Sequence, residues 1–535
     1  MNRLSVFQKI NLRFFALAIL SLAVISIVLG SIKSFAESNE DSQNPHSNSI
    51  VSLSSIENIA SESTKTFPTR WITVDENELN HIQKISENKN LRFDLEVVET
   101  RGGLSVLVTD EEQTLNLSRD MHEEFHKCAG FMAHESLDAA RLSIERSLQA
   151  DTSQQVVEYT INNQAVVNSL INETKESQIR ETITRLSTDF INRRYNQPSG
   201  TASANWIKNK WTDLAAGRDD ITVEFFNHTY STQNEFPQPS IILTVQGSTL
   251  PAEVVVLGAH QDSINRSADS APGADDDASG IAGLTETIRV MVAKNFRPKR
   301  TVKFMAYAAE EVGLIGSQAI AADFKQRGVN VVGVLQLDMT NYKSPNSAVD
   351  IVIITDRTNA PQNEFLRNLI STYLPLLAVG DSTCGYCSDH ASWTNQGFAA
   401  SFPFEGISNP TIHTISDTLA QSGGNANHAH KFTNLAVAYL GELAKGSLSL
   451  TTVPSANISG RVMSGRRGIS QARVSLIDAG GAIRTTLTNA FGFYKFSDVA
   501  VGETYSLDAR SKRYKFASQI VNVTEDLTDL DFYPY

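Results

Sequence analysis

The sequence predicts an α/β protein in which a main domain, with a mostly parallel sheet flanked by helices, lies between two smaller units. Apolar strand-like runs alternate with helix-like segments from about residue 160 to 446, a pattern typical of a sheet covered by helices on both faces. Residues 455–535 hold short alternating strands separated by Gly and Asn turns. Two strand-like runs around Arg101-Gly102-Gly103 indicate a small α/β unit before the main domain.

Length and charge limit the possible classes of protein. The chain has 535 residues, which exceeds what one hydrophobic core usually serves and predicts about two to four domains. The formal net charge is −13, and no basic stripe is present. Because phosphate binding needs clustered Lys and Arg, we expect no nucleic-acid partner.

Residues 1–36 are typical of a Sec-type signal peptide. Three basic residues precede an apolar run from Phe14 to about Ile32, and a Ser-Phe-Ala sequence ending at Ala36 suits signal peptidase. The alternative is an uncleaved membrane anchor, since the run is nearly long enough to span a bilayer. We expect cleavage and secretion, with no stable membrane association afterwards.

The main domain is predicted from Glu158 to Leu448. Two amphipathic helices come first, near 179–190 and 202–216, with apolar residues at helical spacing. Continuous apolar runs then predict strands that are buried on both faces. These runs lie at 253–259, 301–309, 331–339 and 349–356, with helices from Ile281, at 361–373 and at 428–445.

Polar side chains follow these strands where each one ends. In open α/β sheets, ligands bind at the carboxyl ends of the strands. His260 and Asp262 follow the first strand, Glu310 and Glu311 follow the second, and Asp338 lies at the end of the third. We therefore expect these side chains to meet on one rim of the sheet.

An acidic run and a later histidine complete the predicted cluster. Asp275-Asp276-Asp277 comes directly before the helix at Ile281, and His413 lies in a distant loop. Three neighbouring carboxylates repel one another, and bound cations would neutralise them. Imidazoles with carboxylates, one of them able to bridge, suit a pair of zinc-like ions. Taken singly, the acidic run is more often a turn or a loose calcium-binding loop.

Six segments in this order resemble one known family. They are GAHQDS, APGADDDASGIAG, AYAAEEVGLIGS, LQLDMTNY, CGYCSDHASW and IHTISDT. Together they resemble the M28 zinc aminopeptidases, most closely the leucyl aminopeptidases secreted by vibrios and their relatives. The resemblance covers roughly residues 160–446. It implies a zinc-peptidase fold and hydrolysis of the N-terminal bond of peptides and proteins, with a preference for Leu or other bulky apolar residues.

The resemblance also implies a role for each polar residue. Glu310 would be the general base of a zinc-activated water, and Asp262 would orient His260. The peptide bond between Asp276 and Asp277 is expected to be cis. Two Zn²⁺ per catalytic domain would be held by His260 and Asp338 on one side and by Glu311 and His413 on the other, with Asp276 as the bridge.

An apolar pocket for the substrate side chain follows from the same resemblance, as does a Cys384–Cys387 disulfide. Tyr386 would lie near the substrate amine, together with Glu311 and Asp338. Simple core packing is the alternative reading for the phenylalanines of the pocket. The expected pocket residues are Met339, Tyr386, Cys387, Phe402, Phe404 and Ile412.

The flanking segments have their own resemblances. Residues 37–157 have the length and position of a propeptide, and the segment HKCAGFMAH resembles that of the secreted relatives. We expect an intramolecular inhibitor that is removed, with a permanent accessory domain as the alternative. Residues 455–535 resemble the carboxypeptidase regulatory-like β-sandwich, in which Phe491 and Tyr494 would fill a small core. We expect a monomer.

Other functions are less well supported by the residues. A glutaminyl-cyclase-like enzyme typically uses one zinc ion and would not need five ligands. A noncatalytic peptide-binding protein of the same fold should have lost a ligand or Glu310, and none is lost. A serine nucleophile is disfavoured because no Gly-x-Ser-x-Gly segment occurs.

Overall fold

The computed structural model describes residues 68–88, 96–125, 130–153, 157–228, 237–265, 269–448 and 455–535. These ranges fall within a single unit of the chain, Phe67–Tyr535. The signal peptide predicted at 1–36 and the third cysteine, Cys128, lie outside the described ranges. Among the described helices, none combines the length and the apolar character that a membrane span requires.

The N-terminal domain, residues 68–153, is an antiparallel sheet with helices packed on it. Its strands are β1 (Thr69–Asp75), β2 (Glu96–Arg101), β3 (Leu104–Asp110) and β4 (Met132–His134), in the order β2-β3-β1-β4. Its helices are α1 (Glu76–Asn88), α2 (Glu111–Phe125) and α3 (Leu137–Ser153). The predicted hairpin turn is confirmed: Gly102 and Gly103 have φ of 60° and 78°, as a two-residue turn of this type requires.

Five of the described helices of the main domain begin close to the positions that the sequence predicts, and three further helices lie where none was predicted. Helices α4 to α6 span Gln164–Ile171, Glu176–Asp189 and Pro198–Leu214. Pro198 occupies the first turn of α6, where its missing N–H removes no helical hydrogen bond. Helices α7 to α11 span Ala278–Ala293, Ile315–Gln326, Ala360–Tyr373, His390–Asn395 and Asn427–Leu443.

The main domain also contains eleven described strands in three sheets. Strands β5 to β10 span Ile221–Phe226, Ser240–Val245, Leu250–His260, Phe296–Arg297, Arg300–Tyr307 and Asn330–Gln336. Strands β11 to β15 span Ile351–Ile354, Val379–Ser382, Ala400–Ser401, Pro403–Glu405 and Ser447–Leu448.

The central sheet has the strand order β13-β10-β7-β9-β6-β5. Neighbours from β13 to β9 run parallel, and β6 and β5 add antiparallel pairs at one edge. Val255 and Leu257 of β7 face one hydrophobic core, while Val254 and Val256 face a second core on the other side. Burial on both faces explains why these strands are continuous apolar runs.

Two strand predictions need correction. The run at 349–356 does not join the central sheet, because β11 pairs with β12 and β14 in a separate sheet. There its apolar residues pack against Cys387 and Phe402. The strand predicted at 331–339 ends at Gln336, so Asp338 lies in the loop beyond it.

The C-terminal domain, residues 455–535, consists of short strands around one apolar core. Strands β16 to β23 span Ser455–Arg461, Met463–Ser464, Arg467–Gly468, Arg473–Ile477, Ile483–Leu487, Phe493–Ala500, Thr504–Arg510 and Gln519–Asn522. They form sheets ordered β16-β21, β17-β18 and β20-β19-β22-β23. Tyr494 lies in the core.

The prediction that Phe491 fills this core is wrong. Phe491 is 70% exposed. It lies in a turn in which the Asn489 side chain accepts hydrogen bonds from the backbone N–H groups of Phe491 and Phe493. The turn thereby holds the Phe491 side chain outside the core.

Two buried histidines predict acid sensitivity. Burial lowers the pKa of His134 and of His428 to about 3. The unfolded chain takes up these protons near pH 6.5, well before the folded protein does, so acidification favours unfolding. Each histidine should lower the unfolding free energy by about 1.4 kcal/mol per pH unit as the pH falls from about 6.5 towards 3. Urea unfolding at a series of pH values measures this slope.

The variants His134→Gln and His428→Gln should each flatten the pH dependence relative to the parent protein. An unchanged slope in both buried variants would contradict this explanation.

Candidate metal centre

Three neighbouring parallel strands bring the predicted polar residues to one edge of the central sheet. β7 ends at His260, and Asp262 comes after Gln261 in the loop beyond it. β9 ends at Tyr307, so Glu310 and Glu311 lie in the next turn. Because β10, β7 and β9 are adjacent and parallel, their carboxyl ends open onto the same rim, and Asp338 lies beyond β10.

The predicted ligands form two groups that share Asp276. In the first group, His260 Nε2 lies 3.0 Å from Asp276 Oδ1 and 3.5 Å from Asp338 Oδ1. In the second, His413 Nε2 lies 3.0 Å from Asp276 Oδ2 and 2.7 Å from Glu311 Oε2. Each oxygen of Asp276 therefore faces a different imidazole.

The donor atoms fit metal ions better than they fit one another. All of these side chains are at most 2% exposed. Within the described residues, both nitrogens of His260, both oxygens of Asp276 and of Glu311, and Asp338 Oδ1 make no hydrogen bond. Buried polar atoms that lie within 3.5 Å but do not hydrogen-bond are costly, whereas lone pairs directed at shared cations have a partner. The residues present fit a pair of divalent ions.

The imidazoles and carboxylates of the two groups shift one another's pKa values. Burial lowers the pKa of each imidazole, but the carboxylates outweigh it, raising the pKa of His260 well above its ordinary value and that of His413 to about 10. Burial raises the pKa of Asp276, but its contacts with the two imidazoles hold it below its ordinary value. The imidazoles thus hold protons that a bound cation would replace.

Glu310 lies beside the ligand groups without joining either pair of contacts. Its carboxylate is buried, and neither oxygen has a hydrogen-bond partner in the described residues. Burial raises its pKa well above the ordinary value, Glu311 adds to the effect, and His260 opposes it. A carboxylate of raised pKa can accept and hold a proton near neutral pH.

Asp262 joins His260 to the turn that carries the two glutamates. Its Oδ1 accepts a hydrogen bond from the Glu310 N–H at 3.1 Å and its Oδ2 accepts one from the Glu311 N–H at 3.3 Å. Oδ1 also lies 3.5 Å from His260 Nδ1, longer than an ordinary hydrogen bond. The Asp262 carboxylate therefore holds the backbone of both glutamates and lies beside the His260 ring without hydrogen-bonding to it.

The outer two carboxylates of the acidic run hold backbone groups. Asp277 caps α7, since its Oδ1 accepts from the Gly280 N–H at 2.8 Å and its Oδ2 from the His260 N–H at 3.1 Å. Asp275 Oδ1 accepts from the Asn341 N–H at 2.8 Å. The peptide bond between Asp276 and Asp277 is cis, as the resemblance implies.

Arg193 is a residue of the site that sequence reasoning missed. It is fully buried, and its guanidinium donates to four backbone carbonyls: Gln261 at 3.0 Å, Leu186 at 3.2 Å, Pro272 at 2.5 Å and Gly273 at 2.8 Å. Gln261 lies between His260 and Asp262, and Gly273 leads into the acidic run. Arg193 therefore ties two ligand-bearing loops together and places a positive charge beside their carboxylates.

Two further positions were also missed. The Asp417 carboxylate accepts hydrogen bonds from the N–H groups of Asp275 and Asp276, at 3.1 Å in each case. Ser388 Oγ donates to Asp338 Oδ2 at 2.6 Å. Both fix a ligand through contacts between distant parts of the chain, which no local sequence pattern signals.

An apolar cavity of about 550 Å³ opens beside Asp338. Four of the six predicted pocket residues line it: Met339, Cys387, Phe402 and Phe404. Ile412 is fully buried and packs against Met339 and Phe404, behind the lining. The Cys384–Cys387 disulfide forms part of the cavity wall.

Tyr386 lies away from this cavity, against the N-terminal domain. Its ring packs with Leu104, Val106 and Ile144, and its hydroxyl lies 3.1 Å from Ser147 Oγ. It is not among the residues that line the cavity. Its placement near a substrate amine therefore stays a prediction.

The N-terminal domain also contacts the turn that carries the glutamates. Ser118 Oγ donates to the Glu311 carbonyl at 2.8 Å, and the Ala133 N–H donates to the Gly313 carbonyl at 3.1 Å. Gly313 has φ of 104°, and a Cβ there would lie 2.5 Å from Ala133 Cβ. Close packing of the two domains at this point requires glycine.

Known proteins match this chain in sequence. The sequence model of the family described as "Peptidase family M28" matches residues 240–438. Leucine aminopeptidase 1 of Arthroderma gypseum is 35% identical over 322 residues, which are 56% of this chain and 83% of the relative. A probable aminopeptidase of Saccharomyces cerevisiae is 36% identical over 272 residues, 48% of this chain and 71% of the relative.

Solved structures match it as well. LapB from Legionella pneumophila has a TM-score of 0.59 and 32% identity, and the match covers 70% of this chain and 99% of LapB. The LapA aminopeptidase of the same organism has a TM-score of 0.59 and 28% identity, with 72% of this chain and all of LapA covered. Both matches are longer than residues 158–448, so the likeness extends beyond the main domain.

Arg193→Lys should weaken metal binding. Lysine keeps the positive charge but cannot reach four carbonyls, so the His260 and Asp276 loops should lose their common anchor. Loss of a group that positions metal ligands costs about 10–100-fold in affinity, and we expect a Zn²⁺ affinity at least about tenfold lower. Competition with a chromophoric chelator measures this affinity. Arg180→Lys on the exposed face of α5 is the control, and equal affinities in the two variants would contradict the role of Arg193.

Proposed function

This chain belongs to peptidase family M28 and is an aminopeptidase, and from this we propose that it is a secreted di-zinc enzyme. It would release Leu or another bulky apolar residue from the N-terminus of peptides and proteins. The observation that carries the proposal is the sharing of Asp276 between two groups of buried donors. A single-ion site would not need a carboxylate with one oxygen directed to each group.

The residues of the centre divide the work between them. His260 and Asp338 would hold one Zn²⁺, Glu311 and His413 the other, and Asp276 would bridge them. The ions would supply a Lewis acid for the substrate carbonyl and a water of lowered pKa. Glu310 would take the proton of that water on a carboxylate oxygen and pass it to the leaving amine. Asp262 keeps Glu310 in place by accepting the hydrogen bond from its backbone N–H.

The cavity beside Asp338 supports a preference for apolar N-terminal residues. Met339, Phe402 and Phe404 give it an apolar wall, and about 550 Å³ of space accommodates a Leu side chain or a larger one. Burial of a Leu side chain in such a cavity contributes roughly 1.5–3 kcal/mol. A negatively charged N-terminal side chain would lose its hydration against these three residues and would lie near the Asp338 carboxylate.

The N-terminal domain would act as an intramolecular inhibitor that is removed on maturation. Its Ser147 lies at hydrogen-bonding distance from Tyr386, and its Ser118 bonds the backbone of Glu311. Both contacts restrain parts of the chain that the proposed reaction uses. The apolar run in residues 1–36 supports export, which would place maturation outside the cell.

Glu310→Gln should abolish turnover and leave the fold intact. Glutamine has nearly the same shape but cannot accept the proton, and general-base catalysis contributes about 10²–10⁴-fold. Hydrolysis of Leu-p-nitroanilide measures the loss, and Zn²⁺ content should stay unchanged. Glu364→Gln, at a side chain that is 65% exposed, is the matched control. A Glu310→Gln variant as active as the control would exclude Glu310 as the base.

The blocked substrate tests the requirement for a free amine. N-acetyl-Leu-p-nitroanilide should be cleaved far more slowly than Leu-p-nitroanilide, and a chelator should stop cleavage of both. Equal rates on the two substrates would contradict the aminopeptidase assignment. Full activity after exhaustive chelation would contradict the metal centre.

Release of the N-terminal domain should raise activity. A specific protease site placed between residues 153 and 157 allows the domain to be cut off in vitro. If the docked form dominates before cleavage, kcat/KM should rise at least about tenfold once the domain dissociates. Ser147→Ala in the uncut chain should raise it in the same direction, while Ser136→Ala should not. Equal activity before and after proven dissociation would favour a permanent accessory domain.

A further inference from the structure

The loop from Cys384 to His390 holds a second cluster of metal-binding side chains, and we propose that it becomes a site for a thiophilic divalent ion when its disulfide is reduced. The two cysteine thiolates and the His390 imidazole would be the protein ligands. None of these three residues is a proposed ligand of the His260–His413 centre, so the two sites share no ligand.

The geometry brings three suitable donors together. Cys384 Sγ, Cys387 Sγ and a ring nitrogen of His390 all lie within 4.8 Å of one another. The Cα atoms of the two cysteines are 5.5 Å apart. At a tetrahedral ion with Zn–S bonds of about 2.3 Å, the two sulfurs would lie roughly 3.8 Å apart. Side-chain rotation in the reduced loop can provide that separation.

The buried imidazole of His390 points to a metal ligand rather than to a packing role alone. It is fully buried at the start of α10, and neither ring nitrogen has a hydrogen-bond partner among the described residues. Leaving a buried polar atom unsatisfied costs about 1–3 kcal/mol. Phe402 stacks on the ring, with centroids 5.0 Å apart at 29°, and fixes the direction of the nitrogens.

The local environment favours the ligand form of each residue. Burial, followed by the charge of Arg357, lowers the pKa of His390 to about 3, so the imidazole is neutral and has a free lone pair. Tyr386 stands between the two cysteines in sequence, and the Arg357 guanidinium lies over its ring, 4.5 Å from the ring centroid. A nearby guanidinium stabilises thiolates, and thiolates select soft ions such as Zn²⁺ and Cd²⁺.

Formation of the site requires a reductant. A dithiol gives two electrons to the Cys384–Cys387 bond and becomes a cyclic disulfide, which leaves two thiols on the protein. Binding of the divalent ion then displaces the two thiol protons to solvent. The resulting unit of one M²⁺ and two thiolates carries no net charge, which suits its apolar neighbours Val352, Ile354 and Phe402.

The occupied site would lie in the wall of the substrate cavity. Cys384 and Cys387 line that cavity together with Phe402. An ion held there would take up space and make the wall more polar. This expectation rests on the proposed function: the KM for Leu substrates should rise after reduction and ion binding, and the KM for Ala substrates should rise less.

The test uses Cd²⁺ as the probe on the full chain. Cys128→Ser removes the third thiol, the His260–His413 centre is first loaded with Zn²⁺, and the protein is reduced by a dithiol that is then removed without air. Titration with Cd²⁺ should give the ultraviolet thiolate-to-cadmium charge-transfer band, saturating at one ion per chain. Carboxylates and imidazoles give no such band, so the readout does not depend on the other centre or on activity.

Three comparisons decide the outcome. The unreduced protein and a Cys384→Ser/Cys387→Ser variant should show no band. The His390→Phe variant keeps the stacking on Phe402 but lacks the ring nitrogens, and it should bind Cd²⁺ at least about tenfold more weakly. If the His390→Phe variant does not fold, the His390→Gln variant takes its place. A reduced protein that gives no stoichiometric band, or that unfolds on reduction, overturns the proposal. Unchanged Cd²⁺ affinity in the folded His390 variant overturns it as well, since a bare dithiol would then suffice.

Discussion

The centre depends on one buried carboxylate held between two imidazoles. Asp276 is 1% exposed, and its two oxygens each lie 3.0 Å from a histidine nitrogen. A carboxylate in such a place costs several kcal/mol (on the order of 5) unless positive charge neutralises it. Protons on His260 and His413 supply that charge in one state, and divalent cations in the other. This need for positive charge explains why an acidic run persists in the interior of the protein.

The fold meets this constraint mainly with backbone groups. Parallel strands bring His260 and the two glutamates to one edge, and Asp277 caps α7 while bonding the His260 N–H. Asp417 accepts hydrogen bonds from the N–H groups of Asp275 and Asp276. Arg193 donates to the carbonyls of Gln261 and Gly273, in the loops that carry His260 and Asp276. Because backbone positions are hard to shift in a packed core, the ligands are preorganised, which favours tight metal binding and a fixed place for Glu310.

The sequence was informative where function follows from local pattern. Residues at the ends of apolar strands could be assigned to one rim because parallel strands end together. The hairpin turn could be predicted because Gly102-Gly103 lies between two strand-like runs. His413 was placed in the cluster although its loop carries no strand signal, and only the resemblance assigned it to a particular metal ion. Arg193 and Ser388 could not be found, because their roles arise from contacts across 68 and 50 residues of chain. The position of Tyr386 depends on packing against another domain, and the pairing of β11 depends on which core receives its apolar face.

Anomalous diffraction at the zinc edge tests the shared-carboxylate account most directly. Crystals grown with Zn²⁺ should show two peaks, one about 2.0–2.2 Å from His260 Nε2 and Asp276 Oδ1, the other at a similar distance from His413 Nε2 and Asp276 Oδ2. A single peak would contradict the account, as would two peaks that do not share Asp276.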